Sequence, residues 1–353
     1  MSNITSLAID LAKNFFQLHG TDATGKAVLK KKISREKLLE FVVSLKPCNI
    51  YMEACGSSNY WGRKFIEMGH AVKLINPKYV KPYVKRNKND VNDAAGIAAA
   101  ARDPDMRFCD VKTEAQQDMQ SIHRARSLLM QQRTAVINQL RGLLSEYGIV
   151  FAKGSTNVRK NLLEILDENK GNMSELIIST INNLHTHLVN LENQIAIFDD
   201  KIKEVAKNNE SSKLLATIPG VGILGSTILA AMLGNGAPFK NGRHFAAYLG
   251  LTPKQHSSGG KERLLGISKA GDTYVRTLLI HGARAVLRWI DKNSNKRDIN
   301  TVWIKSVLIR KGNNKAAVAL ANKIARIAWA LVHTNQAYNA NYNRNAGSLA
   351  TAL

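Results

Sequence analysis

The chain is 353 residues long and 44% apolar, enough for two domains and a sizeable core. Its 50 Lys and Arg against 27 Asp and Glu give a formal net charge of +23, so the simple expectation is a polyanionic partner. Cys48, Cys55 and Cys109 are few, odd in number and show no CxxC spacing, so neither a disulfide framework nor a thiolate zinc site is indicated, and a reducing cytosol fits.

The first residues, MSNITSLAIDLAK, lack the basic stretch and apolar run of a signal peptide, and a cytoplasmic location is expected, with the nucleoid when bound to DNA. From Ile4 to Ile33 three short β-branched and apolar runs, broken at Lys13-Asn14 and at Thr21 to Gly25, predict a meander of three strands. A helix is predicted from Ser34 to Leu45, a strand at 50–54 (IYMEA), a helix from Ser57 to Met68, a strand at 71–75 and a helix from about Asp90 to Arg102. Three strands followed by alternating helices and strands describe a mixed α/β sheet compatible with an RNase H-like fold, assigned to 1–108.

Over 109–210 the period changes. Ile177, Ile181, Leu184, Leu188, Leu191, Ile195, Phe198, Ile202 and Val205 alternate spacings of four and three, the pattern of a coiled-coil seam, and Ile122, Leu129, Val136 and Leu143 repeat every seven. Two long helices joined through 148–174 would make an antiparallel arm or an association surface between protomers, or a bundle packed within one chain. A mainly α-helical domain with Gly-rich loops is expected over 211–337, and a disordered tail rich in Asn, Ala and Ser over 338–353. Only Leu214 to Gly234 is long and uncharged enough to imitate a membrane span. Pro219 and the glycines at 220, 222 and 225 predict two short helices and a hairpin instead, so no membrane partner is expected.

Two sets of residues carry chemistry. Asp10 and Glu53 each end a predicted strand, and Asp90 and Asp93 stand three apart on one predicted helix face. Four crowded oxygen donors repel one another unless a cation sits between them, and Mg²⁺ is the natural occupant. The plainer reading makes Asp90 a helix N-cap with Asp93 in the first turn and Asp10 a turn residue. Glu53, beside Gly56, has little capping use.

The second set lies in the most basic part of the chain: between Lys240 and Arg326 there are 18 Lys and Arg against 4 acids, more than half the net charge. There Ser257 and Ser258 precede two glycines, with His256, Lys254, Lys261, Arg263, Lys269 and Arg276 nearby. Glycines let a backbone approach a phosphate, and cations stabilise charge developing on its oxygens. A solvated surface loop has the same composition. Just upstream, LLATIPGVGILGSTILAAML predicts a helix-hairpin-helix element whose Gly220 and Gly222 would offer amides to a phosphate, or a buried hairpin of the core.

AIDLAK, MEACGSS, NDVNDA, IPGVG, AAYLGLTP, SSGGK and GISKAGDTYVR, in that order, resemble the DEDD-type transposases of bacterial insertion sequences over nearly the whole chain. The resemblance implies RNA-guided serine recombination, with Asp10, Glu53, Asp90 and Asp93 as the Mg²⁺-binding tetrad of a resolvase-like domain. It puts the nucleophile, a serine preceding a glycine, on Ser258, with Ser257 one register step away. It further implies donor and target DNA, a structured noncoding guide RNA encoded by the element, and a homo-oligomer, dimer or tetramer, in which the tetrad of one protomer meets the serine of another. Three other functions are open to the residues alone. These are a metal nuclease acting on branched DNA through activated water, a non-catalytic nucleic-acid binder and a sugar kinase-like fold, the last disfavoured because no second phosphate-binding strand motif follows AIDLAK.

Overall fold

The computed structural model describes residues 4–85, 89–151, 155–292 and 299–339. The tail expected to be disordered lies, from residue 340, outside them. The chain divides into two compact units, Met1–Glu114 and Ala115–Leu353.

In the first unit β1 (Ser6–Asp10), β2 (Phe15–Thr21) and β3 (Ala27–Ser34) form the expected antiparallel meander. The second turn is tied by Asp22, whose Oδ1 accepts from the Thr24 and Lys26 amides, both at 2.9 Å. The helix expected over 34–45 is shorter. Ser34 stays in the ladder opposite Phe15, and the Arg35 amide donates to Asn14 O at 2.9 Å, so α1 begins only at Leu38 (Leu38–Val43). Then come β4 (Asn49–Glu53), α2 (Ser58–Glu67), β5 (Ala71–Ile75), the single turn α3 (Pro77–Val80), α4 (Asp90–Ala100) and a short β6 (Phe108–Cys109) that was not predicted. The sheet runs β3-β2-β1-β4-β5-β6, with β1, β4 and β5 mutually parallel and β6 antiparallel to β5.

Alternation along the strands sorts the two faces. Leu7, Ile9, Phe16, Leu18, Ile50, Met52 and Leu74 point one way and bury against Leu38, Val42, Trp61 and Phe65 of α1 and α2. Ala8, Tyr51 and Ile75 point the other way and meet Val80 and the α4 residues Ile97, Ala98 and Ala100. Gly96 lets α4 lie close to the segment that precedes it: a Cβ there would stand 2.8 Å from Val84 Cγ2.

The second unit begins with two long helices, α5 (Glu114–Ser145) and, after α6 (Ser155–Glu168), α7 (Glu175–Asn208). Arg126 binds Asp199 at 2.6 Å and Arg133 binds Glu192 at 3.1 Å. Moving seven residues forward on α5 moves seven back on α7, so the two helices pair antiparallel within one chain. Of the seam predicted on α7, Ile181, Leu188, Leu191, Ile195 and Ile202 are buried, and Ile177, Leu184, Phe198 and Val205 are half-buried. The stripe on α5 is displaced. Ile122, Leu129, Val136 and Leu143 are only half-buried, while Met119, His123, Ile137, Leu140 and Leu144 are buried. The connection over 148–174 also contains a helix, α6, where none was predicted.

The rest is mainly helical: α8 (Glu210–Ala216), α9 (Ile223–Leu233), α10 (Gly242–Tyr248), a hairpin of β7 (Pro253–Gln255) and β8 (Leu264–Ile267), α11 (Thr273–Lys292) and α12 (Ile299–Thr334), broken at Gly312. The predicted hairpin of short helices over 214–234 is α8 and α9. Among the described residues, the helix long and apolar enough to cross a membrane is Val302–Thr334, not 214–234 as the sequence suggested. Its buried residues, including Ala316, Ala321, Ala325, Ala328 and Trp329, belong to a core shared with Leu229, Phe245 and Leu279.

Candidate metal centre and serine hairpin

Asp10 and Glu53 are the last residues of β1 and β4, which pair in parallel up to Ile9 opposite Met52. One step further sets Asp10 level with Glu53 on neighbouring strands. Alternation turns both toward the face that α4 covers. The first turn of α4 brings Asp90 and Asp93 there. Asn89, not Asp90, caps this helix, its Oδ1 accepting from the Asn92 amide at 2.8 Å. The capping explanation for Asp90 therefore falls, and the Asp90 carboxylate is left for other work.

One carboxylate oxygen from each of Asp10, Asp90 and Asp93 lies within 4.8 Å of the others. Opposite ligands of an octahedral Mg²⁺ stand about 4 Å apart, so the three donors fit a small divalent cation with slight adjustment. Asp10 and Asp93 are half-buried and Asp90 is exposed, so the centre is open on one side. Glu53 is not in that group of three, although it was predicted as a fourth ligand. Its charge and that of Asp10 nevertheless both act on Cys55, whose thiol is pushed up first by burial and then by the two carboxylates. The loop that follows β4 is tight. Ser57 has φ 68°, a left-handed conformation that costs a non-glycine residue about 1 kcal/mol or more, and Ser58 Oγ donates to Cys55 O at 2.8 Å.

In the second unit the serine loop is a formed hairpin. Ser258 bridges Lys261 across Gly259 and Gly260, with φ 57° and 73°, the two left-handed residues that a tight β-turn requires. The two serines differ. Ser257 Oγ accepts from Gln255 Nε2 at 2.9 Å and from the Arg263 amide at 3.3 Å, whereas among the described residues nothing bonds Ser258 Oγ. Lys254, His256, Lys261, Arg263 and Lys269 are all exposed around it.

Arg276 is different. It is 7% exposed and donates to Leu249 O at 3.1 Å, Ala270 O at 3.0 Å and Thr273 Oγ1 at 3.0 Å. Expected as a phosphate-binding cation, it is spent inside the fold, tying the base of the hairpin. The same base is why GLTP and KAGD carry glycines: a Cβ on Gly271 would meet Tyr248 O at 2.0 Å and one on Gly250 would meet Ala270 O at 2.2 Å.

Gly220 is likewise a packing residue, its backbone against Gly282 of α11, whereas Gly222 caps α9 with open space where its Cβ would be. Of the two, Gly222 alone keeps room for a phosphate.

Sequence reasoning missed a buried polar joint. His123 of α5 is 1% exposed, 2.9 Å from Tyr274 Oη of α11 and 2.9 Å from Thr227 Oγ1 of α9. Thr227 Oγ1 donates to Ile223 O at 2.8 Å, so His123 Nε2–H donates to Thr227 and Nδ1 accepts from Tyr274. Burial, followed by the Arg126 charge, pushes the imidazole down to about 4, which keeps it neutral.

The chain matches the IS116/IS110/IS902 transposase family over residues 212–298 and the DEDD transposase domain of the IS110 group over residues 7–149. It is 44% identical over 338 residues to the transposase of insertion sequence element IS1111A from Coxiella burnetii, covering 96% of this chain and 92% of that one. The chain belongs to the IS110/IS116 family of insertion-sequence transposases. A probable family 20 transposase of Pseudomonas aeruginosa is 42% identical over 95% of this transposase and 99% of its own length. A pilin gene-inverting protein of Moraxella lacunata is 24% identical over 82% of each chain. The family makes the chain an enzyme acting on DNA, in a group generally dependent on divalent metals, and Asp10, Glu53, Asp90 and Asp93 all fall within the DEDD match.

Proposed function

We propose that this transposase exchanges DNA strands through a covalent phosphoserine on Ser258, with Asp10, Asp90 and Asp93 holding Mg²⁺ and Glu53 completing the tetrad from the next strand. The observation that carries the reading is the convergence of three carboxylates within 4.8 Å at the strand ends of β1 and the start of α4. The strand order, with antiparallel β2 beside parallel β1, β4 and β5, supports an RNase H-like assignment for this unit. The bound metal would polarise the scissile phosphodiester. Ser258 Oγ attacks phosphorus, the bond from phosphorus to the leaving strand's oxygen breaks, and the proton from Oγ passes to solvent as the leaving oxygen gains one. Ser258 rather than Ser257 is the nucleophile because its hydroxyl is uncommitted. Lys254, Lys261, Arg263 and Lys269 line the exposed hairpin as phosphate contacts, with Gly222 as a backbone contact.

The similarity to a pilin gene-inverting protein supports strand exchange, since inversion requires that both ends be rejoined. Guidance by an element-encoded RNA, and an oligomer in which the tetrad of one protomer acts with Ser258 of another, belong to the same proposal and are supported by the motif order of the whole chain. A metal nuclease using water is the second reading, favoured by the carboxylate group's lying within one unit. The test is strand exchange on element-end DNA with Mg²⁺ and RNA transcribed from the flanking sequence. The serine reading requires that Ser258→Ala abolish joining while Ser257→Ala retains it. Cleavage that survives Ser258→Ala but fails in Asp10→Asn gives the reaction to the metal and water alone.

A further inference from the structure

The row of residues that begins at Glu53 and Asp10 continues across the sheet. Asp10 pairs with Gln17 on β2, and Gln17 with Lys32 on β3. Residues level with one another on neighbouring strands share a face, so Asp10, Gln17 and Lys32 all lie on the α4 side. Gln17 is buried, and Lys32 emerges exposed at the edge strand, two strand spacings or about 10 Å from Asp10. Phe15, the same-side residue of β2 nearer the strand ends, is 52% exposed. Lys32 Nζ stands 5.0 Å from the centroid of its ring. Lysines on an edge strand discourage pairing between molecules, and that accounts for the run Lys30, Lys31 and Lys32. It does not account for an exposed phenyl ring beside them, on the face that holds the carboxylates.

We propose that Phe15 and Lys32 bind the DNA strand flanking the reacting phosphodiester, Lys32 pairing with a neighbouring phosphate and Phe15 stacking on a base. The placement rests on the reading of Asp10, Asp90 and Asp93 as the metal centre. An exposed aromatic ring beside a cation is the pair of groups by which sequence-tolerant single-strand binding works. Lys31 supplies an internal control, because it is one residue away, points to the opposite face and lies 4.6 Å from the Phe41 ring.

The test uses the full chain and a short mixed-sequence single-stranded DNA oligonucleotide carrying bromouracil, with the matching RNA as a second arm. Irradiation is expected to crosslink DNA to the peptide containing Phe15. Phe15→Ala and Lys32→Ala each weaken binding about five-fold or more. Lys32→Ala also flattens the salt dependence by about 0.7 of a log unit per log unit, and Lys32→Arg retains it. Lys31→Ala changes affinity less than about two-fold, as surface substitutions away from a binding site do. Equal losses from Lys31→Ala and Lys32→Ala, no crosslink at Phe15, or a crosslink with RNA alone would each overturn the proposal. Mn²⁺ binding followed by electron paramagnetic resonance on the same proteins separates the two ideas. It is retained in Lys32→Ala and lost in Asp10→Asn if the metal reading holds. Wild-type protein that binds no Mn²⁺ refutes that reading, and with it this placement, whatever the crosslink shows.

Discussion

Replacing Gly282 by Ala sets two physical effects against each other. Helix propensity alone favours Ala over Gly in the middle of α11 by about 1 kcal/mol. Packing opposes it, because the new Cβ would stand 1.9 Å from the Gly220 carbonyl oxygen, 1.5 Å inside the 3.4 Å where ordinary contact begins. Both partners are backbone, and Gly220 has φ 88°, so no side chain can swing aside; the α8–α9 hairpin and α11 must separate. Overpacking of that kind costs about 3 kcal/mol or more, leaving a net loss of about 2 kcal/mol after the propensity gain. In a unit of this size that lowers Tm by roughly 4–8 °C. Differential scanning calorimetry of Gly282→Ala beside Gly222→Ala measures it, and Gly222→Ala, whose Cβ meets nothing, is expected to lower Tm by less than Gly282→Ala, through the poorer N-cap alone. A rise in Tm for Gly282→Ala would refute the contact, and with it the conclusion that Gly220 is a packing residue rather than a phosphate ligand.

His123 makes stability depend on pH. Its folded pKa, about 4, lies below the ordinary imidazole value of 6.5, so the unfolded chain binds more protons between those values. The stabilisation is present above about 6.5 and is lost as pH falls toward 4. It amounts to about 3 kcal/mol, and His123→Gln should flatten that slope in urea titrations at a series of pH values. Arg276→Ala should lower Tm, because it leaves the buried Leu249 carbonyl, and beside it the Ala270 carbonyl, without this donor, yet spare the salt dependence of DNA binding. Arg263→Ala should do the reverse, weakening binding with Tm unchanged, as anisotropy and calorimetry on the two variants will show.

Periodicity made most of the fold legible. The first five strands and much of the α7 seam follow from runs of β-branched residues and from alternating spacings of four and three, because burial on one face leaves that imprint; the two-residue β6 is too short to leave one. The α5 stripe went astray at His123, a polar residue that is buried because two partners satisfy its ring; a pattern that counts only apolar residues shifts to the neighbouring Ile122. The carboxylates were legible as strand ends and a helix start. That Asn89 caps α4 was not, since Asn and Asp compete for that position on nearly equal terms. Arg276 looked like its basic neighbours because burial of a lone Arg depends on carbonyls, Leu249 O and Ala270 O, that sequence does not reveal. The separation of Ser257 from Ser258 is a matter of hydrogen bonds in a turn, and the two glycines announced the turn without saying which hydroxyl stays free.

Detection of the covalent intermediate tests the serine mechanism itself. Protein, Mg²⁺, flanking RNA and labelled element-end DNA are combined, denatured and digested, and the peptide that retains nucleotide is sequenced by mass spectrometry. A phosphodiester is expected on Ser258 that vanishes in Ser258→Ala and in Asp93→Asn and persists in Ser257→Ala. Joined strands formed with no protein adduct, or an adduct on Ser257 or any other residue, would contradict that mechanism.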